Sequence, residues 1–177
     1  VKGREDTGRC GPEEDIVPAK VKPIPKDMHT VTPNLTIAGC ARAIDFYKQA
    51  LGAEELDRYV GPDGKSVWHA ALKIGDSVVF MNDEIERMTG PAPGPGRPWP
   101  IRLWLYLPDC EAAFKRAVGA GARSKRKPEE MFWGDRTAAV ADPFGYEWEL
   151  ATRVRDMIKD ETRRAADAFA RKMASGE

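Results

Sequence analysis

The chain of 177 residues sets 28 Lys and Arg against 28 Asp and Glu, with 42% hydrophobic residues. Balanced charge offers no field to draw nucleic acid or an anionic membrane, and no apolar run reaches the length of a membrane span, so neither partner is expected. The length suits one sizeable domain or two small modules sharing a core. With no apolar signal segment after Val1, and with Cys10, Cys40 and Cys110 forming no CxxC pair, the expectation is a cytoplasmic protein with free thiols.

Residues 1–28 are rich in Gly, Pro and charge and read as an extended N-terminal arm, laid on the body or on a partner subunit. A first strand is predicted near residues 30–37, with Val31, Leu35 and Ile37 on an apolar face and Thr32, Asn34 and Thr36 on a polar one. The helix predicted over 40–51 carries Ile44, Tyr47 and Leu51 at helical spacing and stops at Gly52. A strand near 54–60 leads through the turn Gly61-Pro62-Asp63-Gly64 to a hairpin, 65–74 and 77–82, folded about Gly75-Asp76. In its first arm Trp68, Ala70, Leu72 and Ile74 are expected on the apolar side, opposite Val67, His69, Ala71 and Lys73. Residues 88–100, rich in proline and glycine, read as a linker. Their GPAPGPGRP run lacks the strand-to-helix setting and the GKS or GKT ending of a phosphate loop, so nucleotide binding is not expected.

Beyond the linker, Ile101, Leu103, Leu105 and Leu107 alternate with Arg102, Trp104 and Tyr106, which places the second set on an open face. A helix with an acidic start follows over 109–120, then a basic stretch, Arg123 to Lys127, suited to an exposed edge strand. Strands near 137–141 and 147–152 flank the turn Asp142-Pro143-Phe144-Gly145. Residues 153–173 are predicted as an amphipathic helix, with Val154, Ile158, Ala165, Phe169 and Met173 in a stripe that docks on the body or on a second subunit. Displacing the chain by seventy positions lays LTIAGCARAIDFYKQALG (35–52) on LYLPDCEAAFKRAVGAG (105–121), matching Cys40 to Cys110 and Ala43 to Ala113. Such internal repetition means two βαβββ modules, 29–87 and 101–152, in one α+β domain over 29–152, followed by a C-terminal helix within 153–177. Function is then expected on the concave face of a shared, curved, mostly antiparallel sheet.

The paired modules, the DPFGYEWEL ending and the helix motif ARAIDFYKQALGAEE together resemble the vicinal oxygen chelate superfamily of glyoxalases, bleomycin-resistance proteins and extradiol dioxygenases. Within it, HTVTPNLTI, HAALKIGDSVVFMNDE and FWGDRTAAVADPFGYEWELAT are most similar to the PhnB-like branch. The resemblance implies a homodimer, with modules or arms exchanged between subunits. It also implies a test, because metal-dependent members present four ligands, usually His or Glu, one from each of four strands. The matching positions here are Thr32, Phe80 (Val79 after a one-residue slip), Arg102 and Glu149. Of these only Glu149 is a credible ligand, and the Arg102 cation repels a metal where a donor is required.

His69 lies on the open side of its strand. It either rebuilds a site with Glu149 and Asn34 or a partner's residue, or is a histidine hydrogen-bonded in a polar groove. His29 falls out of phase with Thr32 and Asn34 and reads as structural. The candidate ligand-binding residues are Asn34, His69, Phe80, Arg102, Trp104, Tyr106, Trp133 and Glu149, with Thr32 and Thr36 in the lining and Trp99 and Phe132 as loop residues that close over it. Aromatic faces beside a few polar groups suit an amphipathic small molecule. Arg102 either clamps a carboxylate, phosphate or phosphonate or is tied internally to Glu149. Asp135 and Arg136 read as a turn or a salt bridge. The leading expectation is a metal-free small-molecule-binding protein. The first alternative is a metal-dependent lyase, isomerase or dioxygenase holding Zn, Ni, Mn or Fe through His69 and Glu149. The second is a metal-free enzyme with Glu149 or His69 as general base.

Overall fold

The computed structural model describes residues 22–25, 27–94 and 99–175. Most of the arm expected over 1–28, together with Cys10 and part of the linker, lies outside the described residues. The elements are β1 (Asn34–Ile37), α1 (Cys40–Leu51), β2 (Glu54–Val60), β3 (Val67–Ile74), β4 (Ser77–Asp83), β5 (Arg102–Tyr106), α2 (Cys110–Gly119), β6 (Arg123–Glu130), β7 (Asp135–Ala141), β8 (Glu147–Arg153) and α3 (Lys159–Ser175). They form two four-stranded sheets of identical topology, β1-β4-β3-β2 and β5-β8-β7-β6, each with one parallel and two antiparallel pairings. The repeat thus yields the expected α+β pair of βαβββ units. The shared sheet is instead two sheets among the described residues, joined by side chains rather than by a backbone ladder.

Each module closes its first helix with the end of its last strand. Asp83 Oδ1 accepts the Gly39 and Cys40 amides at 3.0 and 2.8 Å, and its Oδ2 accepts the Val67 amide at 2.7 Å. The Gly39 and Cys40 amides are orphans of a helix start, which a carboxylate satisfies and the helix dipole favours, while the Val67 amide opens β3. In the second module Thr152 Oγ1 takes the Cys110 amide at 2.8 Å and donates to the Leu107 carbonyl, while Asp109 caps Ala112. The repeated cysteines are therefore buried at helix entrances, and burial pushes the Cys40 thiol from 9.0 up to about 12, with Asp83 adding to it. Such thiols pack rather than react.

The modules meet at the DPFG turn. Asp142 Oδ1 accepts the backbone amides of Phe144 and Tyr146, each at 2.9 Å. Its Oδ2 accepts Tyr47 Oη from α1 at 2.6 Å and Trp148 Nε1 from β8 at 2.9 Å. The Tyr47 and Trp148 rings pack edge to face at 5.4 Å, and Tyr146 Oη reaches back to the Thr36 carbonyl at 2.7 Å. The linker is seated on this turn, since a Cβ on Gly145 would come 2.8 Å from Pro93. Trp99 packs on Tyr146 at 5.2 Å, so it joins the core rather than closing over the groove as expected.

Three local expectations are corrected. The first strand begins at Asn34 rather than near residue 30. It follows Pro33, which lacks an amide hydrogen for the ladder and contributes only its carbonyl, to Phe80. Tyr59 pairs with His69 but Val60 with Val67, so Trp68 is an extra residue and the face shifts ahead of it. Val67 therefore enters the core, while Trp68 leaves it and lies over Gly61, where a Cβ would fall 2.3 Å from the indole nitrogen. The C-terminal helix starts at Lys159, not near 153, because Arg153 still pairs with Asp135 and the Val154 and Arg155 amides both go to the Gly134 carbonyl. No residue of α3 is buried; it touches the body through Phe169, 5.3 Å from Phe132.

Removing the Asp142 carboxylate strands four donors, of which each left unmet costs about 1–3 kcal/mol. Asp142→Ala is expected to lower the urea midpoint by more than Tyr47→Phe, which removes one donor and leaves the other three engaged. Burial and Asp142 raise the Tyr47 phenol well above 10.0, and burial raises Tyr146 to about 12. With Cys40, these groups stay protonated in the native chain after the unfolded ones ionise. Their stabilisation is complete below about pH 9 and declines toward pH 12, at about 1.4 kcal/mol per pH unit for each group. Urea titrations at pH 7, 9, 10 and 11 measure this, and a flat profile would contradict the burial of these groups.

Candidate functional site

The open face of the second sheet is built rung by rung. Trp104 of β5 lies beside Glu149 of β8, Glu149 beside Ala139 of β7, and Ala139 beside Arg126 of β6. Because Ala139 carries only a methyl group, the Arg126 side chain crosses over it to reach the Glu149 carboxylate, with which it forms an ion pair. Arg102 approaches the same carboxylate from the other side, its Nη1 3.3 Å from Oε2. Glu149 is only 1% exposed, so two guanidiniums satisfy a charge that would otherwise be prohibitively costly to bury. On the next rung Glu147 holds Lys125 at 2.8 Å and Arg102 at 3.2 Å. Lys125 first and Arg102 second draw its carboxyl below the usual range, against the opposing pull of burial.

Asp135 organises the aromatic part of the face. It is buried, and its Oδ2 accepts Tyr106 Oη and Trp133 Nε1, both at 2.9 Å, while Arg153 Nη1 reaches Oδ1 at 3.1 Å. The preceding Gly134 has φ +93°, and a Cβ there would lie 2.3 Å from the Arg155 carbonyl oxygen, so the loop admits only glycine. Trp104 lies 6.3 Å from Tyr106 and 6.5 Å from Trp133; Trp133 stacks edge-on to Phe132 at 4.9 Å, and Phe132 meets Phe169 of α3. An aromatic row thus runs from the sheet to the C-terminal helix. Trp104 is 46% and Tyr106 62% exposed, which makes them wall rather than core. Beside Trp104 a cleft of about 240 Å³ opens between the modules, lined also by His29, Val31, Val78, Leu103 and Trp148. His29 therefore belongs to the module junction.

The expected site residues fall into two groups. Arg102, Trp104, Tyr106, Trp133 and Glu149 share the second sheet's face. Asn34, His69 and Phe80 share the first sheet, where Asn34 pairs with Phe80 and the His69 ring lies 5.0 Å from Phe80 and 6.0 Å from Tyr59. His69 Nε2 is 3.6 Å from Asp57, so histidine and glutamate each have another partner than one another. Thr36 accepts a hydrogen bond from Asn82, and Thr32 precedes β1 with its hydroxyl on the His29 carbonyl. Sequence reasoning missed Arg126, read only as part of a basic edge, and underrated Asp135. The signal for Asp135 was a carboxylate straight after Gly134 and two residues from Trp133.

The donor set does not fit a divalent ion. Among the described residues no three His, Cys, Asp or Glu side chains gather with ligand geometry. At the matching positions Thr32 and Phe80 offer at most one weak oxygen, Arg102 is a cation, and Glu149 is engaged by two guanidiniums. A larger open depression of about 790 Å³ near the start of α1 includes Asp63 and Asp83, but both spend their oxygens on backbone amides and, for Asp63, the Ser66 hydroxyl. Among the described residues no helix is long and apolar enough to cross a membrane.

Comparison with known proteins places this geometry in a family. The model of the glyoxalase/bleomycin resistance protein/dioxygenase superfamily matches residues 28–150. An uncharacterized protein of Mycobacterium tuberculosis is 41% identical over 138 residues, 76% of this chain and 81% of that protein. Two solved structures are similar over 70% of this chain and 98% of their own: TioX from Micromonospora sp. ML1, with TM-score 0.58 and 25% identity, and a gene product from Arabidopsis thaliana, with TM-score 0.57 and 27% identity.

The hydrogen bond to Asp135 leads the causes that raise the Tyr106 phenol above 10.0. Asp135→Asn is therefore expected to lower that pKa toward 10, read as the difference between ultraviolet titrations of Asp135→Asn with and without Tyr106→Phe. An unchanged Tyr106 titration would break the proposed link between Asp135 and the aromatic wall.

Proposed function

We propose, because the chain belongs to the glyoxalase/bleomycin resistance protein/dioxygenase superfamily, that it uses that fold to bind an aromatic or amphipathic small molecule without a metal centre. The observation that carries this reading is the pairing of an exposed aromatic wall, Trp104, Tyr106 and Trp133, with a ligand position, Glu149, already committed to Arg102 and Arg126. Flat rings supply contact area at little cost in rotamer entropy, and a wall in which Asp135 already holds Tyr106 and Trp133 has less freedom left to lose on binding. Asn34, His69 and Phe80 offer a second polar and aromatic surface on the first sheet. His69 beside Asp57 acts there as a hydrogen-bonding group rather than as a base aimed at Glu149.

The motifs support a place in the PhnB-like branch, the superfamily resemblance supports a homodimer, and the unpaired cysteine pattern supports a cytoplasmic location. Tyr59 and Val60 on β2, and Ile158 and Met173 at the C-terminal helix, are each more than half exposed, apolar side chains that association would cover. Analytical ultracentrifugation tests this directly: a monomer at micromolar concentration would remove the dimer from the reading.

Quenching of tryptophan emission by a panel of aromatic compounds tests the ligand class. Trp104→Ala is expected to weaken binding about tenfold, near 1.4 kcal/mol. Elemental analysis should find metal far below one ion per chain, and a chelator should leave ligand affinity unchanged. Stoichiometric zinc, nickel, manganese or iron, lost together with binding on chelation, would overturn the metal-free reading in favour of a metal-dependent lyase, isomerase or dioxygenase.

A further inference from the structure

We propose that Arg102 is a detachable anion clamp, so that the ligand of the second sheet's face is an aromatic acid, its ring against Trp104 and its oxyanion on the guanidinium. This rests on the aromatic-binding reading above and narrows it. Arg102 is shared between two carboxylates that each hold another cation. Glu147 keeps Lys125 at 2.8 Å and Glu149 keeps Arg126, whereas the Arg102 contacts are longer, at 3.2 and 3.3 Å. If Arg102 swings away, neither carboxylate is left unpaired, so the large penalty for orphaning a buried charge does not arise. Arg126 has no such freedom, because it is also bound to Glu129 and to the Thr137 hydroxyl, each at 2.8 Å. The Arg102 side chain is 51% exposed, against 29% for Arg126 and 37% for Lys125.

The sign of the ligand follows from the same pairing. Asp135, Glu147 and Glu149 are already held by cations, so a cationic ligand would have to displace them, while an anion takes up the surplus donor. A guanidinium fork matches the two oxygens of a carboxylate or phosphate. Arg102 and Trp104 lie two residues apart on one face of β5, about 7 Å along the strand, so one small molecule spans both.

The test compares 4-nitrobenzoate with its neutral isostere 4-nitrobenzamide by tryptophan quenching and calorimetry on the full chain. The acid is expected to bind at least tenfold tighter, with the preference shrinking between 50 and 500 mM salt. Arg102→Gln should bring the two affinities together. Arg102→Lys, which keeps the charge without the fork and guards against a folding defect in the first variant, should cut the preference at least threefold. Equal affinity of the two probes for the wild-type chain, or equal loss of both in Arg102→Gln, would overturn the clamp. Neutral aromatics that bind with no gain from an oxyanion would sink the clamp and leave the groove standing. Failure of every aromatic compound to bind would sink both.

Discussion

The carboxylate of Asp142 stands where the two modules meet, and each of its oxygens holds two donors: backbone amides of its own turn on one, the Tyr47 hydroxyl and the Trp148 indole on the other. The two sheets share no backbone ladder among the described residues, so their relative placement depends on side chains. Apolar packing of Phe46, Tyr47, Phe144 and Trp148 supplies area without direction. The directional part comes from Asp142, which accepts from α1, from the DPFG turn and from β8 at once, and from the Tyr146 hydroxyl, which donates to the Thr36 carbonyl of β1. Everything on the second sheet's open face inherits its position from that turn, since β8 leaves it carrying Glu147 and Glu149.

The same physical device recurs at three further places. Asp83 joins a helix start to β3, Asp135 joins Tyr106 and Trp133 to Arg153, and Glu149 joins Arg126 to Arg102. In each case a buried or half-buried carboxylate is surrounded by donors that satisfy its lone pairs, the condition under which such a group rigidifies its surroundings instead of destabilising them. A groove carboxylate surrounded by imidazoles and carboxylates is available to a metal ion, whereas one surrounded by guanidiniums is spent on them. Here Arg102 on the neighbouring strand and Arg126 reaching over Ala139 put Glu149 in the second situation.

The aromatic wall gains rigidity from beyond the superfamily match. Residues 28–150 contain Trp104, Tyr106 and Trp133, but the row continues through Phe132 to Phe169 of α3, outside that span. Arg153 and the amides of Val154 and Arg155, which hold Asp135 and Gly134, are also outside it. The C-terminal extension thus buttresses the loop that shapes the groove, while most of its own apolar stripe stays uncovered.

The helices, the glycine stops, the DPFG turn and the doubled βαβββ order were legible in the sequence, because each depends on residues within a few positions of one another. Alternation within β1 and β5 likewise indicated which residues face outward, and the candidates Arg102, Trp104, Tyr106, Trp133 and Glu149 do share a face. Val67 and Trp68 were misplaced because a bulge depends on how β2 pairs with β3, and alternation within one strand carries no trace of it. The partner of Glu149 was open for the same reason: Arg126 lies 23 residues earlier and two strands away, and it arrives only because Ala139 between them is small. Local chemistry and internal repetition by themselves determined most of the elements and the duplicated architecture, and the likeness of the DPFGYEWEL and ARAIDFYKQALGAEE motifs indicated the family. Which charges meet on the second sheet, and hence that Glu149 lies between two guanidiniums, was decided by tertiary structure alone, since electrostatic pairing depends on distances that only strand register and packing set.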